Sequence, residues 1–277
     1  MSVLLRLAYD GAEFHGFARQ AAGERGPVRT VQGELEEALA VLYKAPVTTR
    51  GASRTDAGVH ARGQLVAFDP PFAIPTRGLL LGLSGLLPRD LTVVAAWTEE
   101  RQGGAPVDPR FENLGKRYRY RLRCARLRDP WTERFEWQLS SVLDHTVMQA
   151  AARAFVGEHD FGSFRASACQ ARTTVRRIRS VTVTRAPIVD AWPSDPGSLA
   201  SPDDAILTIE VDGLAFLYNM VRIMVGTLVE VGRGRRAPGS IAELLANPDR
   251  ARAGATAPAR GLTLDEVLWP SSAQGRR

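Results

Sequence analysis

Lys116-Arg117-Tyr118-Arg119-Tyr120-Arg121-Leu122-Arg123-Cys124-Ala125-Arg126-Leu127-Arg128 alternates basic and less polar side chains, and the rest of the chain is read outward from it. A period of two puts Tyr118, Tyr120, Leu122 and Cys124 on one face of an extended strand. Arg117, Arg119, Arg121 and Arg123 fall on the other. The stretch is therefore a long strand over residues 116–128. Its arginine face is read first as a solvated sheet face and second as a track for a polyanion.

Toward the N-terminus, Gly103-Gly104-Ala105-Pro106 is the best-marked boundary and divides the chain into expected domains of residues 1–104 and 105–277. The first half reads β-α-β-α-β. Val3, Leu5, Leu7 and Tyr9 alternate as a strand. Thr30 is placed to cap a helix whose Leu35, Ala38, Leu39 and Leu42 share one face. Gln64 to Phe68 and Leu91 to Trp97 are strands, with a partly helical run from Thr76 to Leu87 between them. Toward the C-terminus, Asp144 to Val156 is an amphipathic helix closed by Gly157. Strands over Ser180–Arg185 and Ala205–Asp212 flank a Pro-, Ser- and Asp-rich stretch near residues 186–204, expected to be a mobile hairpin insertion. A helix over Leu214–Val231 follows, and Ser240-Ile241-Ala242-Glu243 is a capping box opening another. The fold class is α+β, with two halves whose sheets join or face one another.

Composition narrows the partners. The chain has 277 residues, of which 44% are hydrophobic and 24% charged, as in a soluble globular protein. Its net charge of +6 and pI near 9.9 favour a polyanion. All 36 basic residues except Lys44 and Lys116 are arginine, the side chain that grips phosphate bidentately and stacks on bases. Cys124 and Cys169 are too few for a disulfide framework. His15, His60, His145 and His159 have no metal-ligand spacing, which also excludes the zinc nucleobase deaminases. Arg6 and Asp10 interrupt the N-terminal apolar run, so it is not read as a signal peptide, and a reduced, cytoplasmic setting is expected.

Arg50 to Gly63, RGASRTDAGVHARG, lies between a helical pattern and a strand pattern. Gly51 and Gly58 flank Ser53-Arg54-Thr55-Asp56, which makes this a loop suited to presenting side chains. Asp56, with Arg54 two residues before it, is the candidate reactive carboxylate. Asp and Thr beside Gly are also ordinary turn residues. His60 and His159 are left as loop structure. The helix over 214–231 is apolar nearly all round and so should be buried. Asn219, Arg222 and Glu230 argue against a membrane span. Arg222 then needs an anion, with Asp56 and Glu230 as candidates.

Several segments together resemble the tRNA pseudouridine synthases of the TruA type. They are Gly51-Ala52-Ser53-Arg54-Thr55-Asp56-Ala57-Gly58-Val59-His60-Ala61, Lys116-Arg117-Tyr118-Arg119-Tyr120, Asp160-Phe161-Gly162-Ser163-Phe164-Arg165, Tyr218-Asn219-Met220-Val221-Arg222-Ile223-Met224-Val225-Gly226, and Ala257-Pro258-Ala259-Arg260-Gly261-Leu262-Thr263-Leu264. Tyr9-Asp10-Gly11 and Thr30-Val31-Gln32-Gly33-Glu34-Leu35-Glu36 also fit. The order is the family's and covers nearly the whole chain. Two departures stand out: Gly16-Phe17-Ala18 replaces the usual Gly-Trp-Gln, and the 186–204 insertion is long.

The resemblance implies two ferredoxin-like (RRM-like) halves, with mainly antiparallel sheets combining into one extended sheet around a basic central cleft. It implies isomerisation of uridine to pseudouridine in the anticodon stem-loop of tRNA, at positions 38 to 40. That change conserves atoms and needs no cofactor or metal. A homodimer with tRNA as partner, and no membrane association, follow from the same resemblance. Asp56 matches the catalytic aspartate, as nucleophile or base, and Arg222 its ion-pair partner. Tyr118 matches the tyrosine that stacks on uracil and serves as a candidate general base. Arg54 matches a residue that displaces the target nucleotide, and Leu262 an apolar contact to the base. The alternatives are a basic RNA-binding protein without chemistry and a pseudouridine synthase acting on another RNA.

Overall fold

A computed structural model describes residues 1–20, 28–188, 199–201 and 203–270. The chain forms two compact units, one of Met1–Lys116 with Thr263–Arg277 and one of Arg117–Leu262. Among the described residues there are ten strands and six α-helices, an α+β fold.

The first unit opens with β1 (Ser2–Tyr9), α1 (Val31–Tyr43), β2 (Thr49–Gly51), β3 (His60–Phe68), α2 (Thr76–Leu86), β4 (Leu91–Glu99) and the one-turn α3 (Pro109–Glu112). β1 lies antiparallel to both β3 and β4, with Val3 opposite Phe68 and Thr98. β2 is antiparallel to the C-terminal end of β3, Thr49 facing Phe68 and Gly51 facing Val66. Leu4, Leu5, Leu7, Leu65, Val66 and Phe68 are buried, because this sheet is covered rather than solvated. Thr30 caps α1 as its residue type foretells, its Oγ1 accepting from Gly33 N at 3.2 Å.

The second unit follows with β5 (Gly115–Cys124), β6 (Trp137–Leu139), α4 (His145–Ala152), β7 (Gly157–Asp160), β8 (Val175–Pro187), β9 (Ala205–Gly213), α5 (Met220–Gly232) and α6 (Ser240–Ala246). Its strand order is β5-β9-β8-β7, with β6 parallel to β5. β8 and β9 form a long hairpin paired from Ile178↔Gly213 to Pro187↔Ala205. Of the insertion between them, residues 189–198 and 202 lie outside the described residues. β10 (Leu262–Leu268) then pairs parallel with the start of β3, Thr263 facing His60.

The structure differs from the sequence reading at particular places, each with a local cause. The two units part at Lys116 rather than at residue 104. Val107 is fully buried, its N–H bonded to Ser2 Oγ at 3.1 Å and its carbonyl to Arg50 Nε at 2.8 Å, so the Gly-Gly-Ala-Pro run is followed by packed chain. β5 stops at Cys124, where Ala125 N turns to Leu139 O. α5 starts at Met220 because Asn219 sits in the left-handed region, at φ 60°. Gly157 opens β7 instead of capping α4, which ends in a 3-10 turn over Arg153–Phe155. The capping box does not form: Gly239 is the N-cap of α6, and Ser240 Oγ donates to Ala237 O at 2.7 Å. Among the described residues no helix is long and apolar enough to cross a membrane.

Candidate active site

The loop between β2 and β3 leaves along one edge of β3 and is held there backbone and side chain. Ala52 N donates to Leu65 O at 2.8 Å, continuing the β2–β3 ladder by one bond. The next bonds come from a side chain. Gln64, fully buried in β3, accepts from Ser53 N at 3.2 Å and donates to Ser53 O at 2.6 Å. Thr55 Oγ1 lies 2.7 Å from the Tyr9 hydroxyl, and Thr55 O accepts from Phe17 N at 3.0 Å. Val59 N returns to Asp56 O at 3.1 Å, closing a turn around Asp56. The loop thus hangs from β1, from the segment after β1 and from β3. This leaves Asp56 half-buried and Arg54 exposed. Among the described residues Arg54 has no ion-pair partner.

Phe17, which follows Gly16 in the segment after β1, packs beneath the loop. Its ring packs on Gly51, where a side chain would fall 2.2 Å from Phe17 Cε1. Phe17 therefore serves as a buried brace beneath the loop, and glycine at 51 is what admits it. Arg29 braces the same region. It forks onto Asp90 at 2.7 and 2.8 Å and stands 4.2 Å above the Phe14 ring. His60, expected in a loop, is instead the buried first residue of β3. Its Nδ1 lies 3.0 Å from Gly11 N and 3.1 Å from Asp10 Oδ1. His159 is likewise a strand residue, in β7.

The second unit holds Tyr118, Arg222 and Leu262. Tyr118 is buried on the apolar face of β5, with Phe216 edge-on at 5.1 Å between ring centroids. Tyr120 is two residues on and donates to Pro258 O at 2.7 Å. Burial holds its phenol protonated far above the ordinary range, against the pull of Arg222 and Arg260, so Tyr120 is a packing residue. Arg222 donates from Nε to Ala257 O at 2.7 Å and from a terminal nitrogen to Asn219 Oδ1 at 2.8 Å. Glu230, the other acid considered for it, is bonded to Arg236 at 2.8 Å. Leu262 is buried at the first position of β10.

The arginine face of β5 is largely engaged in ion pairs. Arg121 meets the buried Glu136 at 2.6 Å, Arg123 lies 3.5 Å from both Glu136 and Asp129, and Arg117 lies 3.4 Å from Asp212. In the second arginine cluster, Arg179 pairs with Asp212 and Arg176 donates to the carbonyls of Thr173 and Val175. Arg172 and Arg177 are exposed and, among the described residues, have no acidic partner. Lys116 is buried, and burial with Arg110 nearby pulls its amine down to about 8.

Sequence reasoning passed over Gln64, Tyr9 and Asn219. Gln64 had a signal: a primary amide next to Leu65-Val66-Ala67-Phe68 must find partners once buried. Asn219 had one too, as an N-cap residue type before an apolar helix.

Residues 151–270 match the family model for tRNA pseudouridine synthase. Over most of its length the chain is similar to curated proteins named tRNA pseudouridine synthase A. That of Geobacter sulfurreducens is 42% identical over 268 residues, covering 97% of this chain and 99% of the relative. That of Myxococcus xanthus is 42% identical over 265 residues, with 96% and 91% covered. That of Leuconostoc citreum is 42% identical over 264 residues, with 94% of each covered.

Proposed function

The chain belongs to the tRNA pseudouridine synthase A family, isomerases that act on uridine in tRNA, and from that premise we propose that Asp56 is its catalytic carboxylate and the anticodon stem-loop its target. The observation that carries this reading is the build of the 52–59 loop. Gln64, Tyr9 and Phe17 hold a loop that presents a half-buried carboxylate two residues from an exposed arginine, which among the described residues has no ion-pair partner. Catalytic and binding residues are disproportionately carried on loops positioned by a rigid scaffold.

In the proposed reaction the N-glycosidic bond of the target uridine breaks, the uracil turns, and C5 bonds to the same ribose carbon. The C5 proton leaves and N1 gains one, so atoms and electrons balance without an external oxidant. Asp56 acts ionised, as nucleophile or base, with Arg222 as the counterion that favours its charged form. Tyr118 stacks on the uracil and, acting as its phenolate, receives the C5 proton to become a neutral phenol, and Leu262 supplies an apolar wall. The reacting base must leave its stack, at about a few kcal/mol. Arg54, exposed at the loop tip, is suited to take its place. Arg172 and Arg177, which have no acidic partner among the described residues, are the phosphate contacts we favour over the paired arginines of β5.

The connectivity of the first unit supports a ferredoxin-like half: β1-α1-β2-β3-α2-β4, with strand order β4-β1-β3-β2. A homodimer working in the cytoplasm completes the proposal by analogy with the family. The test is to incubate purified protein with unmodified tRNA carrying tritium at uridine C5, then map the pseudouridines. Tritium release with new pseudouridine at positions 38 to 40 is expected. Modification confined to another arm would overturn the proposed target.

A further inference from the structure

Beyond the residues that meet the RNA, one side chain of β3 has an arrangement that ordinary strand packing does not call for. The β2–β3 ladder runs through Gly51↔Val66 and ends with Ala52 N bonded to Leu65 O. The next loop residue, Ser53, meets β3 through a side chain, the Gln64 amide. Its oxygen accepts from Ser53 N at 3.2 Å and from Leu65 N at 3.1 Å, and its nitrogen donates to Ser53 O at 2.6 Å. One primary amide thus presents to Ser53 the same donor and acceptor that a neighbouring strand residue would. It does so fully buried, where a lost bond is not recovered from water.

We propose that Gln64 is a positioning residue for the isomerisation, acting through Ser53 to set the backbone that carries Asp56. This rests on the reading of Asp56 as the catalytic carboxylate. A carboxylate three residues along a turn closed by Val59 N on Asp56 O follows any displacement of Ser53. Displacements near 1 Å at a reacting group cost about 100-fold in rate. Gln64 is fully buried and bonds the backbone of Ser53 and Leu65, so its loss is expected to act on kcat and leave tRNA binding unchanged.

The test compares three variants in tritium-release kinetics: Gln64→Met, Gln64→Glu and Asp56→Asn. Gln64→Met keeps the volume and removes both halves of the clamp. Its kcat is expected to fall by about 100-fold with KM for tRNA within about threefold. Gln64→Glu is the discriminating variant. While protonated, its carboxyl accepts from Ser53 N and donates to Ser53 O, restoring the clamp. Burial favours this neutral form. Once ionised it repels the Ser53 carbonyl. Its kcat relative to the parent is therefore expected to be highest at low pH and to decline as pH rises, while the same ratio for Gln64→Met stays flat. A Gln64→Glu ratio that does not change with pH, or a Gln64→Met loss confined to KM, would overturn the inference. Should Gln64→Met not fold, the pH profile of Gln64→Glu decides alone. If Asp56→Asn keeps parental activity, the underlying reading fails. If Asp56→Asn is inactive and both Gln64 variants behave as the parent, only the positioning role fails.

Discussion

Asp56 and Lys116 show how differently one fold treats two charged residues of the first unit. Asp56 is presented half-buried on a tethered loop, whereas Lys116 is packed under cover with its charge poorly compensated. Burial is the main cause of the lowered Lys116 value, with the Arg110 charge second. The sign follows directly. Below about 8 the amine is charged in both folded and unfolded chains, and the folded state bears the full desolvation cost. Between about 8 and the ordinary 10.5 the folded chain releases its proton before the unfolded one does, so stability from this group rises with pH. Lys116→Met should accordingly be more stable than the parent at pH 7, by about 1–3 kcal/mol, with the gap narrowing toward pH 10. Urea unfolding at both pH values measures this, and a gap independent of pH would show that the amine titrates normally. No pattern marked Lys116 in advance, since a lysine opening an arginine-rich strand reads as exposed. Tyr120 misleads in the opposite sense: it alternates with Tyr118 and looks equally suited to a site, yet its hydroxyl is committed to Pro258 O.

Elements with a clear period or capping chemistry were legible, and short ones or those whose bounds depend on distant contacts were not. β1, β5 and α1 declare themselves by period, and Thr30 by its capping chemistry. β2 is only three residues long, and β10 acquires its parallel neighbour from some two hundred residues away, a pairing no local pattern encodes. α5 shows both cases. Its apolar girth foretold burial, but its start depends on the left-handed Asn219 and its course on the segment 254–257. That segment runs alongside it: Gly254 N donates to Thr227 Oγ1 at 3.0 Å, Ala257 N donates to Arg222 O at 3.1 Å, and Arg222 Nε returns to Ala257 O. Gly226 makes the approach feasible, since a Cβ there would lie 1.8 Å from Ala255 O. Gly226→Ala must push the segment off the helix. It should destabilise the protein by about 1–3 kcal/mol and lower kcat by loosening the Arg222 anchor. Calorimetry and tritium release test the pair of effects. A variant with unchanged melting temperature and rate would show that the segment does not hold Arg222.

At the scale of the whole molecule, the net charge of +6 pointed to a polyanion but could not say which arginines meet it. Alternation made the β5 face conspicuous, yet Glu136, Asp129 and Asp212, all outside the strand, answer Arg117, Arg121 and Arg123. Among the described residues, Arg54, Arg172 and Arg177 are exposed arginines without an acidic partner. If Arg172 and Arg177 contact phosphate, converting both to Gln should weaken tRNA binding and reduce the slope of log affinity against log salt by roughly 1 for each. The same change at Arg121, already paired with Glu136, should leave that slope unaltered. The candidate site was legible because its residues share a family pattern. Of the braces behind it, Tyr9 looks like an ordinary strand residue until its partner is seen, while Gln64 and Phe17 carried a signal in the sequence that did not say which residues they would meet.

The most direct measurement is single-turnover pseudouridine formation by Asp56→Asn on tRNA already bound to the protein. The account predicts tRNA affinity within about threefold of the parent, because phosphate contacts dominate binding, and no detectable product. Product at the parental rate from the bound complex would contradict it.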